Sequence, residues 1–362
     1  MQRSISFLLV YLLSLSSSAQ QDTITYYKGL QARLHYGFIF AHSTAVQNTA
    51  GAHPRGIEIE IARQRVDTVV WDLCHCYPVK GWSFSYFDYN TNVLGKGITT
   101  AYFLEPTYRL GSKTQLRFRG SIGLSYLTKP YHPQNNPTNQ SYSMRLNGFL
   151  QLGIGAAYRV SPQMLLQLGA QYQHISNGGL KDPNKGINWP TASAGVSWYR
   201  QRYRLPLYNR VREKSWKENK PYIEAGLLIG AKHGYQSDGE NERTPLAGML
   251  VQATKQVGGN NAINAAFEFH YDNALKQRLQ KDSIHGSAYR AGILAGHDFL
   301  LGRFFFSQQL GVYIHNDNPY YSRLYHRWAL RYGFRERWKA GFALNAHRQV
   351  ADFIDLRLMY RL

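Results

Sequence analysis

The sequence predicts an all-β protein, a transmembrane barrel of about sixteen antiparallel strands seated in an outer membrane. Three observations predict it: stretches of period-two alternation along the chain, an export signal at its start, and an apolar alternating strand at its end.

The alternation carries most of the weight. Ile57, Ile59 and Ile61 alternate with Glu58 and Glu60. Leu116, Phe118, Ile122, Leu124 and Tyr126 alternate with Gln115, Arg117, Arg119, Ser121 and Ser125, and Trp328, Leu330, Tyr332 and Phe334 with Arg327 and Arg331. One face of each strand suits lipid and the other a polar lumen. A soluble antiparallel sandwich alternates in the same way, so the two ends of the chain decide between them. Arg3 precedes an apolar stretch, Phe7 to Leu15, too short to span a bilayer as a helix, and Ser17-Ser18-Ala19 supplies small residues for cleavage between Ala19 and Gln20. No cysteine follows to carry a lipoprotein anchor. At the other end, Ile354, Leu356, Leu358, Tyr360 and Leu362 alternate with Asp355, Arg357, Met359 and Arg361, a pattern resembling the terminal signal read by the barrel-assembly machinery.

Composition agrees. The chain holds 27 Tyr, 17 Phe, 7 Trp and 32 Gly, and aromatic residues build the interface girdles of membrane barrels. Its mean hydropathy of −0.42 suits a strand set with one polar face. Strands are predicted to begin near residues 31, 55, 80, 97, 113, 143, 163, 189, 221, 244, 261, 286, 303, 324, 338 and 351. This even count puts both termini in the periplasm. Short turns near 110–112, 160–162, 258–260 and 301–302 then fall inside, and longer segments near 43–54, 127–141, 178–188, 235–243, 273–285 and 315–323 outside. One connection fits badly: the basic segment 206–219 separates a half at 20–205 from a second set of strands at 220–362. One large barrel is favoured, with two eight-stranded barrels in tandem as the alternative.

The formal net charge of +20 comes from 42 Lys and Arg against 22 Asp and Glu. Nucleic acid is the usual partner of so basic a chain, but an exported chain rarely meets it, and phosphorylated outer-leaflet glycolipid is the better-placed anionic partner; the plainer alternative is lumenal and periplasmic Arg and Lys with no single ligand. Cys74 and Cys76 flank His75; export permits a disulfide, one intervening residue disfavours it, and a structural role is preferred to metal binding. No metal or other cofactor is expected.

The chemistry concentrates in residues 171–188. Met164, Leu166, Leu168, Ala170 and Tyr172 share one strand face, opposite Gln167, Gln171 and Gln173, so the apolar face meets lipid and His174 and Ser176 continue it. A His and a Ser two apart on a strand stand about 6–7 Å apart at Cα, close enough to share a hydrogen bond, the minimum for a base-activated serine. Pro190, Ala192, Ala194, Val196 and Trp198 form the lipid face of the next strand, and counting back places Asn188 beside His174 as an orienting residue. Gly178 and Gly179 allow close backbone approach and N–H donation to an oxyanion, with Asn177 and Asn184 as further donors. A polar strand rim opening into an ordinary Asn-Gly-Gly loop is the plainer reading of these residues.

The run His174-x-Ser176-Asn177-x-Gly179-Leu180-Lys181-x-Pro183-Asn184-x-Gly186-Ile187 resembles the signature of the lipid A 3-O-deacylase family (PagL), whose larger relatives are called acyloxyacyl hydrolases. The resemblance covers residues 22–205, and the second half resembles only the larger relatives. It implies an eight-stranded outer-membrane barrel with the motif in the seventh strand, where the present count also puts it. It further implies an esterase in which Ser176 attacks and His174 is general base, then acid. The family's third member is a Glu just after the Gly-Ile pair; this sequence has Asn188 there, and Asp182 is the alternative orienting acid. Two functions follow: a serine esterase that removes an ester-linked acyl chain from lipid A or a related glycolipid, or a non-catalytic barrel serving as pore, adhesin or structural protein. Peptidase and glycosidase chemistry lack their pairings. His270-Tyr271-Asp272-Asn273 echoes the motif without its Ser and reads as coincidence.

Overall fold

A computed structural model describes residues 25–208, 215–234, 243–347 and 350–362. The export signal, the loop 235–242 and the basic residues Arg210, Arg212 and Lys214 of the connecting segment lie outside the described residues. Nine strands precede that segment: β1 (Tyr26–Gly37), β2 (Arg55–Arg65), β3 (Val79–Asp88), β4 (Lys96–Glu105), β5 (Thr107–Arg109), β6 (Thr114–Leu127), β7 (Leu146–Arg159), β8 (Met164–Ser176) and β9 (Ile187–Tyr199). Eight follow it: β10 (Tyr222–His233), β11 (Arg243–Gly258), β12 (Asn261–Asp272), β13 (Tyr289–Leu301), β14 (Phe304–Asn316), β15 (Leu324–Gly333), β16 (Trp338–His347) and β17 (Val350–Arg361). The short β5 resumes β4 beyond Pro106, which has no N–H to give the ladder, and both run along β6.

The sixteen long strands do not close as one barrel, so the arrangement favoured from the sequence is corrected. β1 pairs with β9, and β10 pairs with β17. Two eight-stranded antiparallel barrels result. Eight strands enclose an interior that side chains can fill, and charged side chains fill both. In the first barrel Arg119 donates to Glu58 at 3.0 Å and to Gln151 at 2.8 Å and forms an ion pair with Glu60 at 3.0 Å, while Glu105 accepts from Arg33 at 3.0 Å and Arg117 at 3.1 Å. The cavity left beside Arg33, Glu105 and Arg119 is about 10 Å³, room for one water. In the second barrel Arg327 bridges Glu268 and Asp355, and Lys232 and Arg290 share Asp272 and Asp352. Asp272 and His270 are buried in this lumen, so the echo of the motif at 270–273 does not face lipid.

Three guanidiniums (Arg33, Arg117, Arg119) meet three carboxylates (Glu58, Glu60, Glu105) in the first lumen. Arg119→Met would leave a surplus buried carboxylate, a change that costs about 3–5 kcal/mol. The expected result is a lower unfolding midpoint for the heat-modifiable form in detergent, and an unchanged midpoint would contradict the network's role.

The turns 110–113 and 160–163 are short and share one end of the first barrel; the loops 128–145 and 177–186 share the other. Helix α1 (Thr68–Cys74) sits at the short-turn end, capped by Asp67, whose side chain accepts from the Val70 N–H. Cys74 and Cys76 form a disulfide around His75, which adopts a left-handed conformation (φ 50°). The sequence disfavoured that bond on spacing alone; the turn at His75 brings the two Cα atoms to 5.1 Å, within ordinary disulfide reach. The barrels touch at both ends. Ile354 on β17 packs against Gly178 in the 177–186 loop, and the Leu73 carbonyl lies 3.1 Å from where a side chain at Gly259 would begin.

Candidate active site

Strand β8 delivers the candidate pair as its alternation dictates. Leu166 and Leu168 are 49% and 68% exposed, whereas Gln167, Gln171 and Gln173 are buried in the lumen. His174 and Ser176 continue the outward parity at the long-loop end, both half-buried. His174 Nε2 lies 3.0 Å from Ser176 Oγ, and His174 Nδ1 lies 2.7 Å from Asn188 Oδ1. Asn188 stands directly across from His174 in the β8–β9 register, the neighbour that counting along the strands had assigned.

A fourth residue completes the chain of contacts, and the sequence reading missed it. Asn188 Nδ2 donates to His42 Nδ1 at 2.9 Å. That bond fixes which way the amide points, with its oxygen toward His174. An acceptor there requires the proton on His174 Nδ1, which leaves Nε2 free to take the serine proton. A signal existed: extending the outward parity of β1 through Leu34, Tyr36, Phe38 and Phe40 reaches His42. The Phe40 N–H donates to the Asn188 carbonyl at 2.8 Å, holding this extension against β9. Gly186 stood in the quoted motif without a task, and the structure supplies one. Its φ is +80°, and a Cβ there would stand 2.8 Å from His174 Cε1, so only glycine lets the loop pass over the ring.

The other predicted residues have separate tasks. Asn177 is buried, and its side chain organises the loop: Oδ1 accepts from the N–H groups of Gly179 and Leu180 at 3.0 Å, and Nδ2 donates to the Lys181 carbonyl at 2.7 Å. Asn184 Oδ1 accepts from the Asn177 N–H at 2.9 Å. The neighbouring loop clamps the far side, with Gly186 and Lys185 donating to the carbonyls of Ser141 and Gln140. No hydrogen bond or ion pair joins Asp182 to His174 among the described residues. Gly178 (φ +66°) follows Ser176 by two residues at the point where Ile354 of the second barrel meets the loop.

This contact makes His42 a candidate positioning residue for the His174 ring. His42→Ala would free the Asn188 amide to flip and present NH₂ to His174, the mismatched arrangement that cripples amide-substituted triads. An about tenfold loss of turnover with unchanged KM is expected, and it should vanish when Asn188→Asp is also present, since a carboxylate has no wrong orientation. An equal loss in both backgrounds would contradict this.

Fold and site together define an outer-membrane β-barrel with a Ser-His-Asn arrangement on its lipid face. A family model described as lipid A 3-O-deacylase (PagL) matches residues 65–197, and one described as acyloxyacyl hydrolase, C-terminal domain, matches residues 222–362. The chain belongs to this family. No curated protein matches it. Among solved structures, the outer membrane enzyme PagL is similar at 15% identity, over 46% of this chain and 97% of that one, with a TM-score of 0.34. Neisserial surface protein A is similar at 14% identity, over 48% and 96%, with a TM-score of 0.34.

Proposed function

We propose that this chain is a serine esterase of the outer membrane that removes an ester-linked acyl chain from lipid A or a related outer-leaflet glycolipid. The observation that carries the reading is the 3.0 Å Ser176–His174 and 2.7 Å His174–Asn188 pair of contacts on the lipid face, at the barrel end where the long loops lie. A glycolipid held in the outer leaflet meets that point with its acyl esters at the membrane boundary.

The chemistry runs in two halves. His174 Nε2 takes the Ser176 proton as Oγ bonds to the ester carbon. The tetrahedral oxyanion then collapses, the bond to the sugar oxygen breaks, and that oxygen leaves with the proton from His174. Water, deprotonated by His174, attacks the acyl-serine; Ser176 recovers its proton and the fatty acid departs. Asn188 and His42 hold the imidazole in the tautomer that both halves need. The Gly178 N–H is the backbone donor we assign to the oxyanion, because the Gly179 N–H is committed to Asn177.

A pore function is the weaker reading. It drew its support from a sixteen-stranded lumen, and the two lumens are narrow and filled with ion pairs. A structural or adhesive barrel has no use for the aligned Ser176, His174 and Asn188. The test of substrate class compares purified full-length protein on lipopolysaccharide and on diacyl phospholipid vesicles. Fatty acid release from the glycolipid alone is expected; release from phospholipid alone would overturn the assignment.

A further inference from the structure

A line of four cations crosses the lipid face of the first barrel at its short-turn, periplasmic end. Arg200, at the end of β9, stands opposite Lys28 on β1, its N–H donating to the Lys28 carbonyl. Lys28 is paired in register with Arg63 on β2, and Arg63 with Lys80 on β3. All four side chains are exposed. Adjacent strands lie about 4.8 Å apart, so the line spans roughly 14 Å.

Like charges directly across a sheet repel, and three such pairs in succession are a standing cost. In both lumens the protein surrounds its cations with carboxylates. Here, among the described residues, none of the four cations forms an ion pair with a carboxylate; Arg63 instead lies over the Tyr26 ring at 3.7 Å. Just toward the membrane centre, Leu30, Ile61 and Trp198 are exposed and apolar. With the cations they border a cleft of about 430 Å³ whose surface is almost wholly apolar. A cationic row above an apolar groove on a lipid-facing surface has the two halves of a phospholipid site.

We propose that this cleft binds an anionic phospholipid of the periplasmic leaflet, one carrying two phosphates, with its acyl chains against Ile61 and Trp198. One phosphate reaches two neighbouring strands but not four, whereas two phosphates joined by a glycerol bridge match the row. The guanidinium forks of Arg63 and Arg200 take phosphate oxygens in pairs, and the ammonium groups of Lys28 and Lys80 complete the charge. The site is separate from Ser176 and holds whether or not the chain is an esterase.

Native mass spectrometry of the full-length protein, titrated with diphosphatidylglycerol, phosphatidylglycerol and phosphatidylethanolamine, tests this. Retention should be strongest for diphosphatidylglycerol. The variant Lys28→Gln/Arg63→Gln/Lys80→Gln/Arg200→Gln should lose at least about tenfold in that affinity, and Arg63→Gln alone should lose part of it. The outer-end variant Lys129→Gln/Arg145→Gln should retain it. The fourfold variant should also unfold at a higher temperature than wild type in lipid-free detergent, where only the repulsion is removed, while losing the stabilisation that added diphosphatidylglycerol gives wild type. Undiminished retention in the fourfold variant, an equal loss in the outer-end variant, or equally tight phosphatidylglycerol would overturn the proposal.

Discussion

Ser176→Ala and His174→Ala are each expected to lower the rate of fatty acid release from purified lipopolysaccharide by at least about 10³-fold, and the double variant is expected to be no worse than either single one. The reason is geometric. The 3.0 Å contact makes the two side chains one nucleophilic unit: without the imidazole the hydroxyl is a poor nucleophile, and without the hydroxyl the imidazole has nothing to activate. Serine hydrolases show this non-additivity, with losses of order 10⁶ for either member alone. The smaller figure here reflects an orienting amide that leaves the starting rate lower. Both variants should still assemble, because neither side chain belongs to the lumenal networks; the heat-modifiable gel shift checks this. Losses that multiply in the double variant would mean the two residues act independently, and the proposed mechanism would fall.

The second large effect runs the other way. Asn188→Asp should raise turnover by about ten- to hundredfold, which corresponds to roughly 1.4–2.7 kcal/mol of barrier. Replacing the carboxylate of a serine protease triad with an amide costs about 10⁴, largely because the histidine is held in the wrong tautomer. In this chain the Asn188–His42 bond already secures the right tautomer. What the amide lacks is the negative charge that stabilises imidazolium as the serine proton arrives. Asp reproduces the length of Asn and so keeps its oxygen at the 2.7 Å position. Glu, one methylene longer, has to displace the ring or the β8–β9 pairing to do the same, so it should gain less. Asp182→Asn should leave the rate unchanged, since no contact ties that carboxylate to His174. A fall on Asn188→Asp, or a large loss on Asp182→Asn, would reverse these assignments.

The residues of β8 explain how much the sequence could disclose. Alternation is local, and a strand's parity reads straight from it: Leu166, Leu168, Tyr172, His174 and Ser176 face outward because Gln167, Gln171 and Gln173 cannot face lipid. The single 177–186 loop joins β8 directly to β9 as antiparallel neighbours, and the match of His174 to Asn188 follows from counting. Closure is a different kind of information. Whether β9 returns to β1 or continues to β10 depends on pairings between residues more than 150 positions apart, which periodicity within a strand does not encode. The same gap hid His42, for it meets Asn188 only because β1 and β9 are partners. Asn177 looked like an oxyanion donor because Asn can donate; its actual use, tying together a loop of left-handed glycines, depends on a backbone path that spacing does not specify.

The central claim is that Ser176 cleaves an acyl ester of an outer-leaflet glycolipid, and its most direct measurement is the mass spectrum of lipid A from cells making the intact chain or Ser176→Ala at matched levels in the outer membrane. The account predicts lipid A lighter by one ester-linked acyl chain in the first cells and full-length species in the second. Identical lipid A in the two, with both proteins folded and abundant, would contradict it.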